Sequence, residues 1–235
     1  MCGDCGCGDP ARVAVEIQES LLSANDRTAR HNREHFDARG VLALNLVGSP
    51  GAGKTALLEA TARARHELRI AAVSGDLATD RDARRLEAAG IPALSITTGS
   101  ARHFDARMVH QALHHMPLAG LDVLVIENVG NLVCPAVYDL GQHFNVVTLA
   151  VTEGADTPLE YPVMFRKADL VLLTKFDLVP DLGVDLAALE DALARTMPEP
   201  RMIAVSARTG EGIDRWLAWL HARSPTTARE VSIEC

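Results

Sequence analysis

A phosphate-binding loop is the sequence feature that most constrains how this chain folds. The segment 48–55 (GSPGAGKT) matches the pattern G-x-x-x-x-G-K-[S/T] at every fixed position. The apolar run 41–47 before it predicts a buried strand, and a helix is predicted directly after it. In that context, backbone N–H groups and a helix N-terminus converge on one anion. The sequence therefore predicts a nucleoside triphosphate site formed by Gly48, Ser49, Pro50, Gly51, Ala52, Gly53, Lys54, Thr55 and Ala56.

Several side chains near this loop are candidates for phosphate and magnesium chemistry. Lys54 is expected to reach the β- and γ-phosphates, and the Thr55 hydroxyl is expected to bind Mg²⁺. Asp76 and Glu127 end two other predicted strands, so both are candidate Mg²⁺ ligands. Asp76 is also a candidate for orienting the attacking water, and Gly130 for donating its N–H to the γ-phosphate. The candidate catalytic residues are Lys54, Asp76 and Glu127.

A second motif concerns the nucleotide base. The segment Thr174–Asp177 (TKFD) follows a predicted strand and resembles the N-K-x-D motif of GTPases. In that motif the Asp carboxylate accepts two N–H groups of guanine that adenine does not supply. Thr174 replaces the usual Asn and removes an amide that supports the loop; an ATP-dependent kinase or ATPase is therefore the alternative. The predicted base-binding residues are Lys175, Asp177, Ser206 and Ala207.

Apolar strands and helices alternate along most of the chain, which has 235 residues. Strands are predicted at 41–47, 69–74, 92–97, 122–127, 145–151, 169–174 and 201–205. Helices are predicted at 54–66, 79–89, 104–116, 158–166, 185–196 and 211–223. This alternation implies a three-layer α/β P-loop NTPase with a mostly parallel central sheet and helices on both faces. The expected organisation is a flexible segment 1–12, a helix 13–38, a GTPase domain 39–223 and a flexible tail 224–235.

Composition narrows the expected partners and compartment. The net charge of −8 and the aromatic content of 4% argue against a nucleic-acid partner. No apolar run approaches the roughly 18 residues that span a bilayer. The N-terminus also has neither the basic region nor the apolar core of a signal peptide. We therefore expect a cytoplasmic protein that binds neither nucleic acid nor membrane.

Three cysteines, Cys2, Cys5 and Cys7, crowd the first seven residues. In a reducing cytosol, such clustering favours metal binding over disulfide formation. Thiolates are soft ligands that suit Ni²⁺, Zn²⁺ or Cu⁺. Square-planar geometry would favour Ni²⁺ and tetrahedral geometry would favour Zn²⁺. Flexible surface thiols are the alternative interpretation.

Two further candidate ligands, His103 and Cys134, each follow a predicted strand. In a parallel sheet both emerge at the carboxyl edge, where the phosphate loop also lies. A metal site beside the nucleotide is therefore one interpretation of this pair, and two ordinary structural side chains are the other. His110, His114 and His115 fall on the next predicted helix and are interpreted as solvated helix residues.

The chain resembles the HypB family of hydrogenase nickel-incorporation GTPases, of the signal-recognition/MinD-type class of P-loop proteins. The resemblance runs through nearly the whole chain, and the pairing of CxxCGC with ENVGNLVCP is its most specific part. The matching motifs are MCGDCGCG, GSPGAGKT, GDLATDRDARRL, TTGSARHFDARMV, ENVGNLVCPA and VTEGADTPLEYPVMFRKADLVLLTKFDLVP.

This resemblance implies a GTPase that helps deliver Ni²⁺ to the large subunit of [NiFe]-hydrogenase. The expected cofactors are GTP, Mg²⁺ and Ni²⁺, with Zn²⁺ as an alternative bound metal. Slow intrinsic hydrolysis is expected because no arginine finger stands out in the sequence. It implies a HypA-type nickel and zinc protein and the hydrogenase large-subunit precursor as partners, and a homodimer in the GTP-bound form. The competing interpretation is a nickel carrier whose nucleotide fold is vestigial.

The resemblance also assigns metal ligands. Cys2, Cys5 and Cys7 match the family's tight nickel site, and His103 and Cys134 match two of three ligands of a second site in the GTPase domain. The third family ligand is a Cys at the position of Arg102 here. A guanidinium stays protonated and does not coordinate a metal. A weaker site, a substitute ligand and loss of the site all remain open.

Overall fold

The computed structural model describes residues 10–64, 67–76, 80–97, 103–133 and 138–225, and gives only the backbone of residues 10–20 and Asp76. The strands in these ranges are β1 Leu42–Gly48, β2 Ile70–Asp76, β3 Ala93–Thr97, β4 Val123–Glu127, β5 Phe144–Ala150, β6 Leu170–Thr174 and β7 Met202–Ala204. The helices are α1 Pro10–Arg39, α2 Lys54–Arg63, α3 Arg81–Ala88, α4 Ala106–Leu113, α5 Thr157–Glu160, α6 Pro162–Arg166, α7 Val179–Leu182, α8 Leu186–Thr196 and α9 Ile213–His221, with a 3-10 turn at Phe176–Leu178.

The described strands form one parallel sheet in the order β3-β2-β4-β1-β5-β6-β7. The chain starts near the centre with β1, builds β2 and β3 on one side, and then fills the other side with β5 to β7. Both central strands, β1 and β4, are buried at every position. The α/β class predicted from the alternating pattern is confirmed, and the phosphate loop follows the central strand at the carboxyl edge.

Side chains alternate between the two faces of β1, which explains the layers on either side. Leu44 and Leu46 join the core that contains Trp216. Ala43, directly before Leu44 and on the opposite face, joins the core that contains Phe36. This period of two places one helical layer on each face of the sheet. No helix in the described ranges is long and apolar enough to span a bilayer.

The helix predicted at 158–166 is instead two short helices that meet at Tyr161, because Pro162 follows. The residue before a proline is disfavoured in the helical region, and Tyr161 has φ −120° and ψ 52°. The helix predicted from residue 104 begins at Ala106 instead, since the Asp105 carboxylate caps it by accepting the N–H of Met108 at 2.7 Å.

Helix α1 packs against the sheet layer through its C-terminal half. Phe36 is fully buried, and the amides of two buried asparagines bind backbone groups on neighbouring segments. Asn25 accepts the N–H of Ala106 at 2.9 Å, and Asn32 donates to the carbonyls of Ala106 at 2.8 Å and Leu140 at 3.0 Å. These bonds fix the start of α4 against α1.

Candidate functional site

The phosphate loop packs closely against β5 and against the segment after β4, as the space around Gly48 and Gly130 shows. A Cβ on Gly48 would overlap the hydroxyl and carbonyl oxygens of Thr148 on β5. A Cβ on Gly130, after β4, would lie 3.0 Å from the Cα of Pro50. The segment after β4 therefore packs directly against the phosphate loop.

Lys54, the first residue of α2, is folded back into the loop. Its Nζ donates to the carbonyl oxygens of Gly48 at 3.0 Å and Ser49 at 3.2 Å. Burial lowers the pKa of the Lys54 ammonium, and the carboxylate of Glu127 partly opposes that shift. The two carbonyl contacts hold the Lys54 ammonium inside the loop, where a phosphate would approach.

Three oxygen-bearing side chains meet at the carboxyl edge of β4. The Thr55 hydroxyl donates to Glu127 Oε1 at 2.6 Å, and the Ser74 hydroxyl donates to Glu127 Oε2 at 3.1 Å. Glu127 is buried, and burial raises the pKa of its carboxyl group against the lowering effect of the Thr55 hydrogen bond. Oxygen donors around a buried carboxylate suit Mg²⁺. The Asp76 side chain lies outside the described part of the chain.

A cavity of about 530 Å³ covers these groups and includes two residues that the sequence analysis missed. Asp82 and Arg85 on α3 line it together with Lys54 and Glu127. The Arg85 guanidinium binds both carboxylate oxygens of Glu59 at 2.9 Å and Asp82 Oδ1 at 3.3 Å. In the sequence both residues read as part of a charged helix surface, and only their place in the motif GDLATDRDARRL singles them out.

A second cavity, of about 390 Å³, adjoins the first and contains the predicted base-binding residues Lys175, Asp177 and Ala207. The Ser206 hydroxyl donates to Asp177 Oδ1 at 2.7 Å, and an Arg208 nitrogen lies 3.6 Å from Asp177 Oδ2. A carboxylate held in this way at the wall of a partly apolar cavity can accept the N–H groups of a flat base.

Thr174 links the base-binding segment to the phosphate loop. Its hydroxyl donates to the carbonyl oxygen of Ala52 at 2.6 Å, and Thr174 is buried. Thr174 lacks the amide of the usual Asn, but its hydroxyl makes a direct contact between the two loops, which the sequence analysis did not foresee.

Most of the predicted metal ligands lie outside the described residues, namely Cys2, Cys5, Cys7 and Cys134, as does Arg102. His103 is described: its ring stacks on Tyr138 at 4.3 Å with a 13° interplanar angle. Its Nδ1 is buried without a hydrogen-bond partner among the described residues, and burial lowers the pKa of the imidazole. An orphaned imidazole nitrogen fits a metal ligand. Within the described ranges, no three His, Cys, Asp or Glu side chains already converge on one metal position.

The side chain of Asn128 joins the nucleotide cavity to the segment that begins at His103. Asn128 is buried, and its Oδ1 accepts the N–H of Phe104 at 3.2 Å and of Val129 at 3.0 Å. Its Nδ2 donates to Asn45 Oδ1 at 3.1 Å. One amide thus contacts the residue after His103 and the residue before Gly130.

The histidines of α4 and the residues after it differ from one another in their environment. His114 and His115 are exposed, as interpreted from the sequence. His110 is half-buried, and its Nδ1 lies 3.0 Å from Asn32 Oδ1, so the interpretation as a solvated residue is wrong for His110.

Comparison with known proteins places this architecture in a family. Residues 42–204 match the model of the CobW/HypB/UreG nucleotide-binding domain. The hydrogenase maturation factor HypB of Azotobacter chroococcum mcd 1 is 50% identical over 210 residues, which cover 88% of this chain and 68% of that protein. The HypB of Escherichia coli K12 is 45% identical over 217 residues, which cover 92% of this chain and 75% of that protein.

Solved structures agree with this placement. The crystal structure of HypB from Helicobacter pylori in complex with nickel superposes with a TM-score of 0.83 at 36% identity, covering 86% of this chain and 95% of that one. HypB from Archaeoglobus fulgidus gives a TM-score of 0.78 at 37% identity, covering 86% and 98%. The relatives and solved structures named above are HypB proteins. The chain belongs to the CobW/HypB/UreG family of nucleotide-binding proteins.

Proposed function

We propose that this protein is a GTP-hydrolysing nickel metallochaperone that assists nickel insertion into the large subunit of [NiFe]-hydrogenase. The observation that carries the proposal is the pair of adjoining cavities, one holding Lys54 and the Thr55–Glu127 pair and the other holding Asp177. Relatives with 45–50% identity are hydrogenase maturation factors, and one solved HypB is a nickel complex.

In this proposal the chain's own groups divide the work of binding GTP. Lys54 binds the β- and γ-phosphates, and Thr55 and Glu127 hold Mg²⁺, which neutralises charge on the phosphates. The Asp177 carboxylate accepts the two guanine N–H groups, while Lys175, Ser206 and Ala207 bound the base. Asp76 is the candidate for orienting the attacking water.

Nickel is the cargo of the proposed activity. Cys2, Cys5 and Cys7 supply three soft thiolates for Ni²⁺, and Zn²⁺ is the competing metal. The orphaned Nδ1 of His103 supports a second site with Cys134 beside the nucleotide.

Asn128 is the proposed physical link between nucleotide and metal. Any movement of Val129 and Gly130 towards a γ-phosphate changes the hydrogen bonds of the Asn128 amide, which also holds Phe104 next to His103. A difference in metal affinity between the GTP and GDP states follows from such a link, and metal must then change nucleotide affinity by the same factor.

We further propose a HypA-type nickel and zinc protein and the hydrogenase large-subunit precursor as partners, a homodimer in the GTP-bound form, and a cytoplasmic location. The similarity to hydrogenase maturation factors supports a role beside a hydrogenase precursor, and the remaining parts of the proposal extend the expectations drawn from the sequence.

The guanine assignment is tested by Asp177→Asn. Losing charge-assisted hydrogen bonds of about 1.5–3 kcal/mol each weakens GTP binding by at least tenfold, measured with a fluorescent nucleotide. Because Asn offers both a donor and an acceptor, the variant is expected to gain affinity for xanthosine triphosphate. Asp181→Asn, at an exposed acid on the next helix, is the matched control. Equal GTP and ATP affinities of the unmodified protein would instead support an ATPase.

The carrier alternative is tested by Lys54→Ala. If the nucleotide fold were vestigial, this variant would still support hydrogenase maturation in cells that lack the native protein. The switch itself is tested by titrating Ni²⁺ into the Cys2/Cys5/Cys7→Ser protein with GDP or a non-hydrolysable GTP analogue. Equal Ni²⁺ affinities in both nucleotide states contradict the coupling, and the absence of binding limits nickel to the N-terminal thiolates.

A further inference from the structure

Four histidines from two different helices gather on the surface away from the nucleotide cavities. His31 and His35 lie on α1, and His110 lies on α4 with His114 directly after it. The ring centroids of His31 and His35 are 4.5 Å apart, those of His31 and His110 are 5.1 Å apart, and those of His110 and His114 are 4.9 Å apart. These four residues are called the histidine cluster.

The spacing along each helix explains the cluster. Residues four apart lie on the same face of a helix, so each helix presents two imidazoles to the other. Helix α1 packs on α4 through the fixed amides of Asn25 and Asn32. The four rings therefore meet at a junction that is fixed by buried hydrogen bonds.

The pair on α1 already has the separation of two metal ligands. His31 Nε2 and His35 Nε2 are 3.0 Å apart. Two imidazole nitrogens bound cis at right angles, each about 2.1 Å from a metal, are separated by about 3.0 Å. An ion bound by both nitrogens would replace this hydrogen bond and would lie to one side of the line that joins them, so the His31 ring has to turn while the separation of the nitrogens is kept.

His110 is held in the protonation form that binds metals. Asn32 donates both N–H groups of its amide to backbone carbonyls, so its Oδ1 accepts the Nδ1–H of His110 at 3.0 Å. The neutral His110 ring then carries its lone pair on Nε2. A ligand histidine whose other nitrogen donates to a fixed acceptor is the usual arrangement in metal sites.

The charges around the cluster both favour and oppose a cation. Burial first, and then neighbouring imidazoles together with Arg39 for His35, lower the pKa of His35 and His110, which favours the neutral rings that bind metals. The Glu34 carboxylate lies 3.7 Å from His31 Nδ1 and favours a cation. Arg39, whose guanidinium donates to His35 Nδ1 at 3.1 Å, opposes one, and as an exposed side chain it is free to turn away.

We propose that the histidine cluster binds one divalent transition-metal ion of the kind that prefers imidazole, such as Ni²⁺ or Zn²⁺, through His31, His35 and His110, with His114 as a fourth ligand. In their present positions the rings do not converge on one point. The exposed rings of His31 and His114 must turn, and a cavity of about 430 Å³ beside His35, His110 and His114 leaves room for this. The site is separate from the cysteines and from the nucleotide cavities.

The test uses tag-free, full-length protein with Cys2, Cys5 and Cys7 changed to Ser, so that thiolates do not mask an imidazole site. Equilibrium dialysis against Ni²⁺ and, separately, Zn²⁺ gives the bound equivalents. The double variant His31→Gln/His35→Gln is expected to lose one equivalent or to bind it at least tenfold more weakly. His221→Gln, a histidine at the end of α9, is the matched control and is expected to keep that equivalent.

Two results would overturn the proposal. One is unchanged metal binding in the double variant, and the other is an equal loss of metal in the His221→Gln control. Should the double variant misfold, the single change at exposed His31 provides the same comparison. Zn²⁺ is also expected to slow amide exchange in α1 and α4 only when the cluster is intact. GTP affinity is measured in parallel and is expected to stay unchanged, which separates this site from the proposed function.

Discussion

Replacing Thr174 by Val tests whether the contact between the two loops is a working part of the GTP site. Val keeps the shape of Thr but removes the hydroxyl that donates to the Ala52 carbonyl at 2.6 Å. Both residues are buried, so water does not replace the lost bond. A buried hydrogen bond of this kind contributes about 1–2 kcal/mol to the free energy of unfolding.

This loss has two measurable consequences. For a chain of 235 residues, each kcal/mol lowers the Tm by about 2–4 °C, so the variant is expected to melt about 2–8 °C lower. Without the contact, the two loops sample more conformations in the nucleotide-free protein. Ordering them when GTP binds then costs a free energy of the same size as the lost hydrogen bond. We therefore expect GTP affinity to fall by about 5- to 30-fold, since 1.4 kcal/mol corresponds to a factor of ten.

The assay is a thermal melt combined with equilibrium binding of a fluorescent guanine nucleotide. Thr174→Ser keeps the hydroxyl and is the control, expected to bind GTP like the unmodified protein. The preference for GTP over ATP is expected to persist in both variants, because Asp177 is unchanged. A Thr174→Val protein with unaltered Tm and GTP affinity would show that the hydroxyl contact has no role in either property.

Three further perturbations address the buried polar groups. Glu127→Gln is expected to lower the rate of GTP hydrolysis by about 10²-fold. Because burial raises the pKa of Glu127, the unfolding free energy of the native protein falls as pH rises from 4.5 through the folded pKa, and urea titrations between pH 5 and 8 should show a weaker dependence of that free energy on pH for the variant. Asn32→Leu removes the two hydrogen bonds that the buried amide donates to the Ala106 and Leu140 carbonyls, so urea denaturation is expected to show a loss of about 1–3 kcal/mol, whereas a loss below 0.5 kcal/mol would contradict the role of this amide. Asn128→Ala is expected to remove any difference in Ni²⁺ affinity between the GDP and GTP-analogue states, and a difference that persists in calorimetry would exclude Asn128 as the link.

The sheet was predictable because its signals are local. Each predicted strand lies within two residues of the observed one, since short apolar runs bounded by turns report burial on both faces directly. The phosphate loop was predictable for the same reason: its pattern and the flanking strand and helix are contiguous in the sequence.

The missed features all depend on contacts between distant segments. The partner of the Thr174 hydroxyl is 122 residues away, and nothing in the TKFD motif identifies it. His110 meets Asn32 and His31 only because α1 packs on α4, so the sequence shows just a histidine on a helix. Asp82 and Arg85 were passed over because a short, highly charged helix normally presents such residues to solvent, whereas here both line the nucleotide cavity.

The groups expected to bind GTP already have partners inside the protein, and this bears on how quickly one nucleotide replaces another. Lys54 donates hydrogen bonds to two carbonyls, the Thr55 hydroxyl donates to Glu127, and the Asp177 carboxylate accepts from Ser206. When a nucleotide leaves, each group can return to an internal partner instead of being left buried and unsatisfied. That return lowers the barrier to dissociation, so we expect GDP to leave spontaneously, with no helper protein to open the site. The rate of exchange is then the rate of GDP release, and cellular nucleotide concentrations decide which nucleotide binds next.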